Sequence, residues 1–149
     1  MPNLVVPIAA DHRGFALKSL FVEWLQKHNF TSLDLGTHSE ERCDAFDFAQ
    51  KMAAEMQSGQ PAAGVLICGT GHAMAMTTNR YSVLRAAHCT NSTMARLARE
   101  HNDANILVVG AYITGIQVAL DCLDVFLKTP FLGGRYAERR ERLTALGGL

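Results

Sequence analysis

Apolar and polar residues alternate along the chain in a pattern that predicts five strands, each followed by a helix. The apolar run 4–10 leads into the polar turn 11–14, after which Leu17, Phe21 and Leu25 recur at helical spacing. The same pattern returns four times. The further predicted strands cover residues 31–35, 64–68, 83–88 and 104–109, and the further predicted helices cover 45–57, 72–79, 92–100 and 114–127.

Two predicted strand segments, 64–68 and 106–109, are almost continuously apolar. Such strands are typical of a parallel sheet that helices cover on both faces. Because crossover connections between parallel strands are right-handed, the sequence predicts a three-layer, doubly wound (Rossmann-like) α/β fold with a five-stranded parallel sheet.

The chain changes character after its fifth predicted helix. The pair Gly133-Gly134 interrupts the helical pattern, and residues 135–142 then carry four arginines and two glutamates. This composition predicts a sixth, exposed helix. We interpret residues 1–149 as a single domain in which 131–149 form a C-terminal tail, either a solvated face or a contact with a partner subunit.

The composition indicates which classes of partner and which cellular compartment to expect. The 149 residues include 14 Lys and Arg against 14 Asp and Glu, so the chain has no broad attraction to nucleic acid or to anionic membranes. The four cysteines form no C-x-x-C pair, which is typical of reduced thiols inside the cell. The first residues lack the pattern of a signal peptide, and no apolar run is long enough to cross a bilayer. We expect a cytoplasmic protein with neither nucleic acid nor membrane as partner.

In an open parallel sheet, ligands bind beyond the carboxyl ends of the strands, so the loops there carry the candidate chemistry. The segment Gly69-Thr70-Gly71 stands out, because two glycines allow backbone N–H groups before a helix to turn toward an anion or a developing oxyanion. It is not a dinucleotide fingerprint, since Met74 stands where that motif needs a third glycine, and the chain has no Walker A lysine.

Cys68 ends a predicted buried strand directly before this loop, and its position supports two interpretations. The common one is a small buried hydrophobic residue. Alternatively, the start of the following helix would favour a thiolate that acts as base or nucleophile.

Two polar pairs are further candidates: Asp11-His12 after the first strand and His101-Asn102 after the fourth helix. If the two pairs converged on the glycine loop, they would supply polar groups for catalysis or binding there. The alternative is that Asp11 caps the helix that follows it, and that His101 and Asn102 cap the end of the fourth helix. No spacing typical of a metal site occurs, and we expect no metal. The remaining histidines are scattered: His28, His38, His72 and His88.

A set of motifs runs from one end of the chain to the other. It comprises residues 11–14 (DHRG), 35–37 (LGT), 67–71 (ICGTG), Asn79-Arg80, Arg85, 101–105 (HNDAN), 133–135 (GGR) and Arg139. In order and spacing these motifs resemble those of the ribose-5-phosphate isomerase B family, which includes galactose-6-phosphate isomerase subunits. The resemblance covers almost the whole chain.

The resemblance implies a cofactor-free isomerase that interconverts an aldose phosphate and its ketose through a cis-enediolate, with ribose 5-phosphate and ribulose 5-phosphate as the first pair to test. It makes Cys68 the base that moves a proton between C2 and C1. Backbone N–H groups at Gly69, Thr70 and Gly71 would stabilise the negative charge that develops on oxygen.

The resemblance also implies roles for the other polar residues. His101, assisted by Asp11 and Thr70, would open the sugar ring, and Asn102 would orient a hydroxyl group. The phosphate would be bound by His12, Arg135 and Arg139. In this family the site forms between two subunits, so the resemblance implies a homodimer or homotetramer in which the tail serves the neighbour's site.

Three departures from the family pattern put the substrate in question. His72-Ala73 replaces an aliphatic residue and a glycine, so a methyl group would narrow the loop, and His72 is either a second acid or base in the substrate site or a surface residue. Ala45 replaces a tyrosine at the pocket rim, and Tyr112 stands where many members have an arginine.

Other functions therefore stay open. The altered loop also fits a non-catalytic subunit that binds sugar phosphate in a hetero-oligomeric isomerase. The same fold would serve an isomerase of another tetrose, pentose or hexose, phosphorylated or not. A nucleotide-binding or regulatory module has the least support, because the phosphate-binding fingerprints are missing.

Overall fold

Five parallel strands form the centre of the molecule, for which the computed structural model describes residues 4–149. The strands are β1 (Leu4–Ala10), β2 (Phe30–Asp34), β3 (Gly64–Cys68), β4 (Ala86–His88) and β5 (Ile106–Gly110). The helices are α1 (Phe15–Lys27), α2 (Ala45–Met56), α3 (His72–Thr78), α4 (Ser92–Asn102), α5 (Ile116–Lys128) and α6 (Arg135–Ala145). The strand order is β2-β1-β3-β5-β4. The predicted α/β fold with a five-stranded parallel sheet is confirmed.

Helices cover both faces of the sheet and bury two apolar clusters. One cluster contains side chains of α1, α4 and α5, and the other contains side chains of α2 and α3. Along β3, Val65 and Ile67 belong to the first cluster, whereas Leu66 and Cys68 belong to the second. Because side chains of a strand alternate between faces, an apolar run without polar positions follows directly from burial on both sides. Cys68 therefore faces the α2 and α3 layer.

The strand order reverses beside β1, and this places a crevice at one edge of the sheet. The chain runs from β1 outward to β2, then returns to add β3 on the other side of β1. The register pairs Ala10 with Ile67 and Cys68 with Gly110, so β1, β3 and β5 end at nearly the same level. The loops that follow these three strands are neighbours at this carboxyl edge, where open α/β sheets bind ligands.

The structure shortens two predicted strands at their amino ends. The sequence predicts strands from residues 83 and 104, but β4 begins at Ala86 and β5 at Ile106. The side chain of Asn105 accounts for the difference. Its Oδ1 accepts the N–H of Arg85 at 2.8 Å, and its Nδ2 donates to the Val83 carbonyl at 3.0 Å. A side chain thus forms the bonds that a longer ladder would have formed.

Helix α6 is the predicted exposed sixth helix, and it has no buried residue. It is held to the rest of the chain by Arg140, whose Nη1 donates to the Asp103 carboxylate at 2.7 Å. Beyond the helix, the Leu149 N–H donates to the Arg80 carbonyl at 2.9 Å. Within residues 4–149, no helix combines the length and the apolar character needed to cross a membrane.

Candidate active site

Asp11 closes the turn after β1. It is 6% exposed, and its Oδ1 accepts the backbone N–H groups of Arg13 at 2.9 Å and Gly14 at 3.0 Å. Gly14 is the N-cap residue of α1, so Asp11 stabilises the entry into that helix from three residues upstream instead of capping it directly. The carboxylate is consequently held at the carboxyl edge by backbone donors.

Cys68 is the last residue of β3 and is 4% exposed. Its Sγ accepts the backbone N–H of Gly71 at 3.1 Å. This contact holds the sulfur at the glycine turn, where a general base would be needed, and so supports the second of the two interpretations of Cys68. By contrast, burial raises the pKa of Cys89 to about 12 and that of Cys122 to about 11, which makes these thiols inert.

The loop after β3 is tightly fixed. Gly71 has a φ of 91°, a left-handed conformation, and a Cβ there would lie 2.6 Å from Nε2 of His88. On the other side, the Tyr112 N–H donates to the Gly69 carbonyl at 2.9 Å. The Gly71 N–H is directed at the Cys68 sulfur, and the role of the three loop N–H groups toward an oxyanion stays a prediction. In this geometry the N–H groups of Gly69 and Thr70 are the first candidates for that role.

Thr70 and His12 complete the polar lining of this edge. The exposed Thr70 accepts the His72 N–H on its Oγ1 at 3.3 Å. His12 is half-buried, and its Nδ1 accepts the Cys43 N–H at 3.3 Å. An imidazole that accepts on Nδ1 carries its proton on Nε2, so His12 can donate from Nε2 to an anion.

His72 has a neighbour that the sequence did not suggest. Its exposed ring meets the half-buried ring of His88 edge to face, with 5.5 Å between centroids. Burial lowers the pKa of His88, and the charge of His72 lowers it further. In the part of the chain that is described, Nε2 of His88 is buried without a hydrogen-bond partner. The position of His88 at the carboxyl end of a strand was the only signal for this pair.

His101 and Asn102 do not reach the glycine loop of their own chain. Helix α4 begins after β4 at the carboxyl edge and runs to the amino edge, where β5 begins. His101 and Asn102 are its last two residues, so they lie at the opposite end of the sheet from Cys68. The expectation that both polar pairs converge on the loop is wrong within one chain, and the direction of α4 is the reason. Neither caps α4, which ends at the left-handed Asp103.

His101 instead belongs to a group with the tail. Its ring stacks on Tyr136, with centroids 4.4 Å apart and planes inclined by 10°. The guanidinium groups of Arg135 and Arg139 lie 5.1 and 5.7 Å from the centre of the same Tyr136 ring.

The candidate residues therefore form two separate clusters. We call Asp11, His12, Cys68, Gly69, Thr70, Gly71 and His72 the carboxyl-edge cluster, and His101, Asn102, Arg135 and Arg139 the tail cluster.

Asp103 anchors the tail cluster. It accepts from Arg99 at 2.9 Å and from Arg140 at 2.7 Å. Burial alone would raise the pKa of Asp103, but the hydrogen bonds from Arg140 and Arg99 outweigh it and hold the pKa below its ordinary value. The carboxylate is therefore charged at neutral pH and ties α6 to the end of α4.

Neither a metal-binding group among residues 4–149 nor the cavity at the amino edge of the sheet coincides with these clusters. Among residues 4–149, no three side chains of His, Cys, Asp or Glu come together in a way that could hold a metal ion. A cavity of about 620 Å³ opens at the amino edge, lined by Leu4, Phe30 and Phe126 among others, and no member of either cluster lines it. The candidate chemistry therefore lies in the two clusters and not in the cavity at the amino edge.

Known proteins resemble this chain over nearly its full length. The family described as Ribose/Galactose Isomerase matches residues 6–143. Ribose-5-phosphate isomerase B of Escherichia coli (strain K12) is 35% identical over 141 residues, which are 95% of this chain and 95% of that protein.

Solved structures give the same result. Ribose-5-phosphate isomerase B of Clostridium thermocellum superposes with a TM-score of 0.93 at 42% identity, covering 95% of this chain and 96% of its own. The enzyme of Mycoplasma genitalium, solved with bound ribulose-5-phosphate, has a TM-score of 0.91 at 32% identity and 95% coverage of both chains. The family resemblance predicted from the motifs is confirmed.

Proposed function

Since this chain belongs to the ribose/galactose isomerase family, we propose that it is a cofactor-free aldose–ketose isomerase that interconverts ribose 5-phosphate and ribulose 5-phosphate. The observation that carries the proposal is the Gly71 N–H directed at the Cys68 sulfur, 3.1 Å away, at the carboxyl edge of the sheet. It provides a base beside an amide-rich turn. Because the substrate is a charged metabolite, we place the enzyme in the cytoplasm.

The proposed reaction moves one proton between neighbouring carbons. The Cys68 thiolate removes the C2 proton of the open-chain aldose, and the electron pair of that bond forms the C1–C2 double bond of a cis-enediolate. Negative charge develops on the C1 oxygen, where the N–H groups of Gly69 and Thr70 are suited to stabilise it. One such donor contributes about 3–4 kcal/mol to the transition state. Cys68 then returns the proton to C1, while a proton moves from the C2 oxygen to the C1 oxygen.

The proposal requires a second copy of the chain. In one chain the carboxyl-edge cluster and the tail cluster lie at opposite edges of the sheet. A complete site would therefore combine the carboxyl-edge cluster of one subunit with the tail cluster of another. His101 would then open the sugar ring with Asp11 and Thr70. The remaining assignments are Asn102 for a hydroxyl group, and His12, Arg135 and Arg139 for the phosphate. The exposed α6, which buries no residue of its own, supports a homodimer of this kind.

Replacing the proposed base tests the activity. We expect Cys68→Ala to abolish isomerisation of ribose 5-phosphate, because no other group replaces the thiolate. The matched control, Cys122→Ala, removes a buried thiol on α5 and should keep wild-type turnover. In deuterium oxide, the wild-type product should carry deuterium at C1. Normal turnover by Cys68→Ala would refute the assigned base.

Mixing two inactive variants tests the shared site. Cys68→Ala and His101→Ala damage different clusters, so a mixed dimer would contain one intact site. If subunits exchange at random, half of the dimers are mixed and half of their sites are intact, which restores about one quarter of the wild-type activity. Absence of any recovery after verified subunit exchange would argue against a site between subunits.

A panel of substrates separates this function from its alternatives. This chain has His72 and Ala73 where the family pattern has an aliphatic residue and a glycine, so the loop differs in shape and polarity. The panel should therefore compare tetrose, pentose and hexose phosphates with the free aldoses. Binding of ribose 5-phosphate without turnover would favour the non-catalytic subunit. A higher kcat/KM for another aldose would revise the substrate but leave the role of Cys68 in place.

A further inference from the structure

Arg13 is a cation at the carboxyl edge that the proposed mechanism does not use. Its exposed side chain extends from the turn after β1 across Gly69. A Cβ built on Gly69 would lie 3.0 Å from Cδ of Arg13 and 3.6 Å from its Nη1. Within residues 4–149, Arg13 has no carboxylate within salt-bridge distance. A charged group without a counterion thus lies against the loop that follows the proposed base.

The surroundings of Arg13 restrict where its guanidinium can go. The group lies 5.7 Å from the centre of the Tyr112 ring, in cation–π geometry. Tyr112 is itself tied to the loop, because its N–H donates to the Gly69 carbonyl at 2.9 Å. On the other side, Gly14 packs so closely on β3 that a Cβ there would be 2.7 Å from the Ile67 carbonyl oxygen. Three adjacent strand ends therefore hold Arg13, Gly69 and Tyr112 in contact.

We propose that Arg13 binds the phosphate of the substrate and that Tyr112 positions its guanidinium. This inference rests on the proposed function, since phosphate is the only charged group of a sugar phosphate. A guanidinium presents paired N–H donors that match two phosphate oxygens, and stacking on an aromatic ring leaves those donors free at the edge. Side-chain order before binding reduces the entropy lost when the anion arrives. Arg13 is a binding residue, and Tyr112 is a positioning residue.

Kinetics of Arg13→Met test the proposal. We expect KM for ribose 5-phosphate to rise about tenfold with kcat changed less than about twofold, because a contact to the remote phosphate is made equally in the ground and transition states. Inhibition by inorganic phosphate should weaken by the same factor. Lys27→Met is the matched control: it removes one positive charge at the far end of α1 and should leave both constants unchanged. Tyr112→Phe should match the wild type, and Tyr112→Ala should raise KM without changing kcat.

The measurements distinguish failure of this inference from failure of the proposed function. If the wild type isomerises ribose 5-phosphate but Arg13→Met keeps its KM and its phosphate inhibition, Arg13 does not bind phosphate. If the wild type shows no isomerase activity, the proposed function fails, and titration with inorganic phosphate by calorimetry decides the role of Arg13. Weaker phosphate binding by Arg13→Met would then support the contact, and equal or undetectable binding in both proteins would overturn it.

Discussion

Gly71→Ala is the substitution that tests most directly how the loop holds Cys68. Gly71 is the N-cap residue of α3 with φ at 91°, and its N–H donates to the Cys68 sulfur at 3.1 Å. An alanine methyl group would lie 2.6 Å from Nε2 and 2.9 Å from Cδ2 of His88. The substitution therefore perturbs the backbone conformation, the packing against His88 and the hydrogen bond to the proposed base.

The expected loss of stability has two parts. A left-handed conformation costs a residue with a Cβ about 1–2 kcal/mol. Overpacking against the half-buried His88 ring adds about 1–3 kcal/mol. We therefore expect Gly71→Ala to lower the free energy of unfolding by about 2–5 kcal/mol. If the loop shifts to relieve the contact, the hydrogen bond to the Cys68 sulfur is lost, which at about 1.5–3 kcal/mol lowers kcat by roughly 10- to 150-fold.

Urea unfolding followed by the fluorescence of Trp24, the one tryptophan of the chain, measures the change. Gly59→Ala is the matched control, since Gly59 has φ at 81° but a Cβ there has no neighbour within 4 Å. It isolates the backbone cost of about 1–2 kcal/mol. Because His88 causes the remaining loss, Gly71→Ala combined with His88→Ala should cost less than the sum of the two single variants.

Equal losses in Gly71→Ala and Gly59→Ala would refute the steric reasoning. Additive effects of Gly71→Ala and His88→Ala would show that the two residues are not in the contact described. If Gly71→Ala is destabilised but keeps its kcat, the Gly71 conformation stabilises the fold without contributing to catalysis.

Three further substitutions have expected outcomes that follow from buried charge. Asp34→Asn leaves Lys18, whose side chain is 2% exposed, without its carboxylate partner, which is itself 36% exposed. The substitution should cost about 1.5–3 kcal/mol in urea unfolding, and a loss below about 1 kcal/mol would contradict the pairing. Asp103→Asn keeps a residue type that tolerates φ at 49° but weakens the hydrogen bond from Arg140 to position 103. Proteolysis of α6 should therefore accelerate, and an unchanged cleavage rate would argue against this anchor. Burial lowers the pKa of His88 below 6.5, so the unfolded state binds a proton first as pH falls, and stability should decrease below about pH 6.5. His88→Leu should reduce that decrease between about pH 7 and pH 5, and an unchanged pH dependence would mean that His88 does not cause it.

Local patterns in the sequence were sufficient for most of the architecture. The order of the strands and helices, the carboxyl edge and the position of Cys68 before a glycine turn follow from hydrophobic period and glycine spacing. These features depend on residues within a few positions of one another. The strand starts near residues 83 and 104 were placed too early for the opposite reason. Asn105 bonds to backbone groups about 20 residues away, and no local pattern records such a bond.

The sequence by itself determined which residue types are available for chemistry, but only the tertiary structure decided which of them meet. His88 contacts Gly71, and Arg13 contacts Gly69 and Tyr112, because parallel strands bring distant loops to one level of the sheet. His101 was separated from Cys68 because a helix that links two parallel strands must return to the opposite edge. Side-chain periodicity is a local property of the backbone, whereas these contacts depend on strand order and register, which form only when the whole sheet assembles.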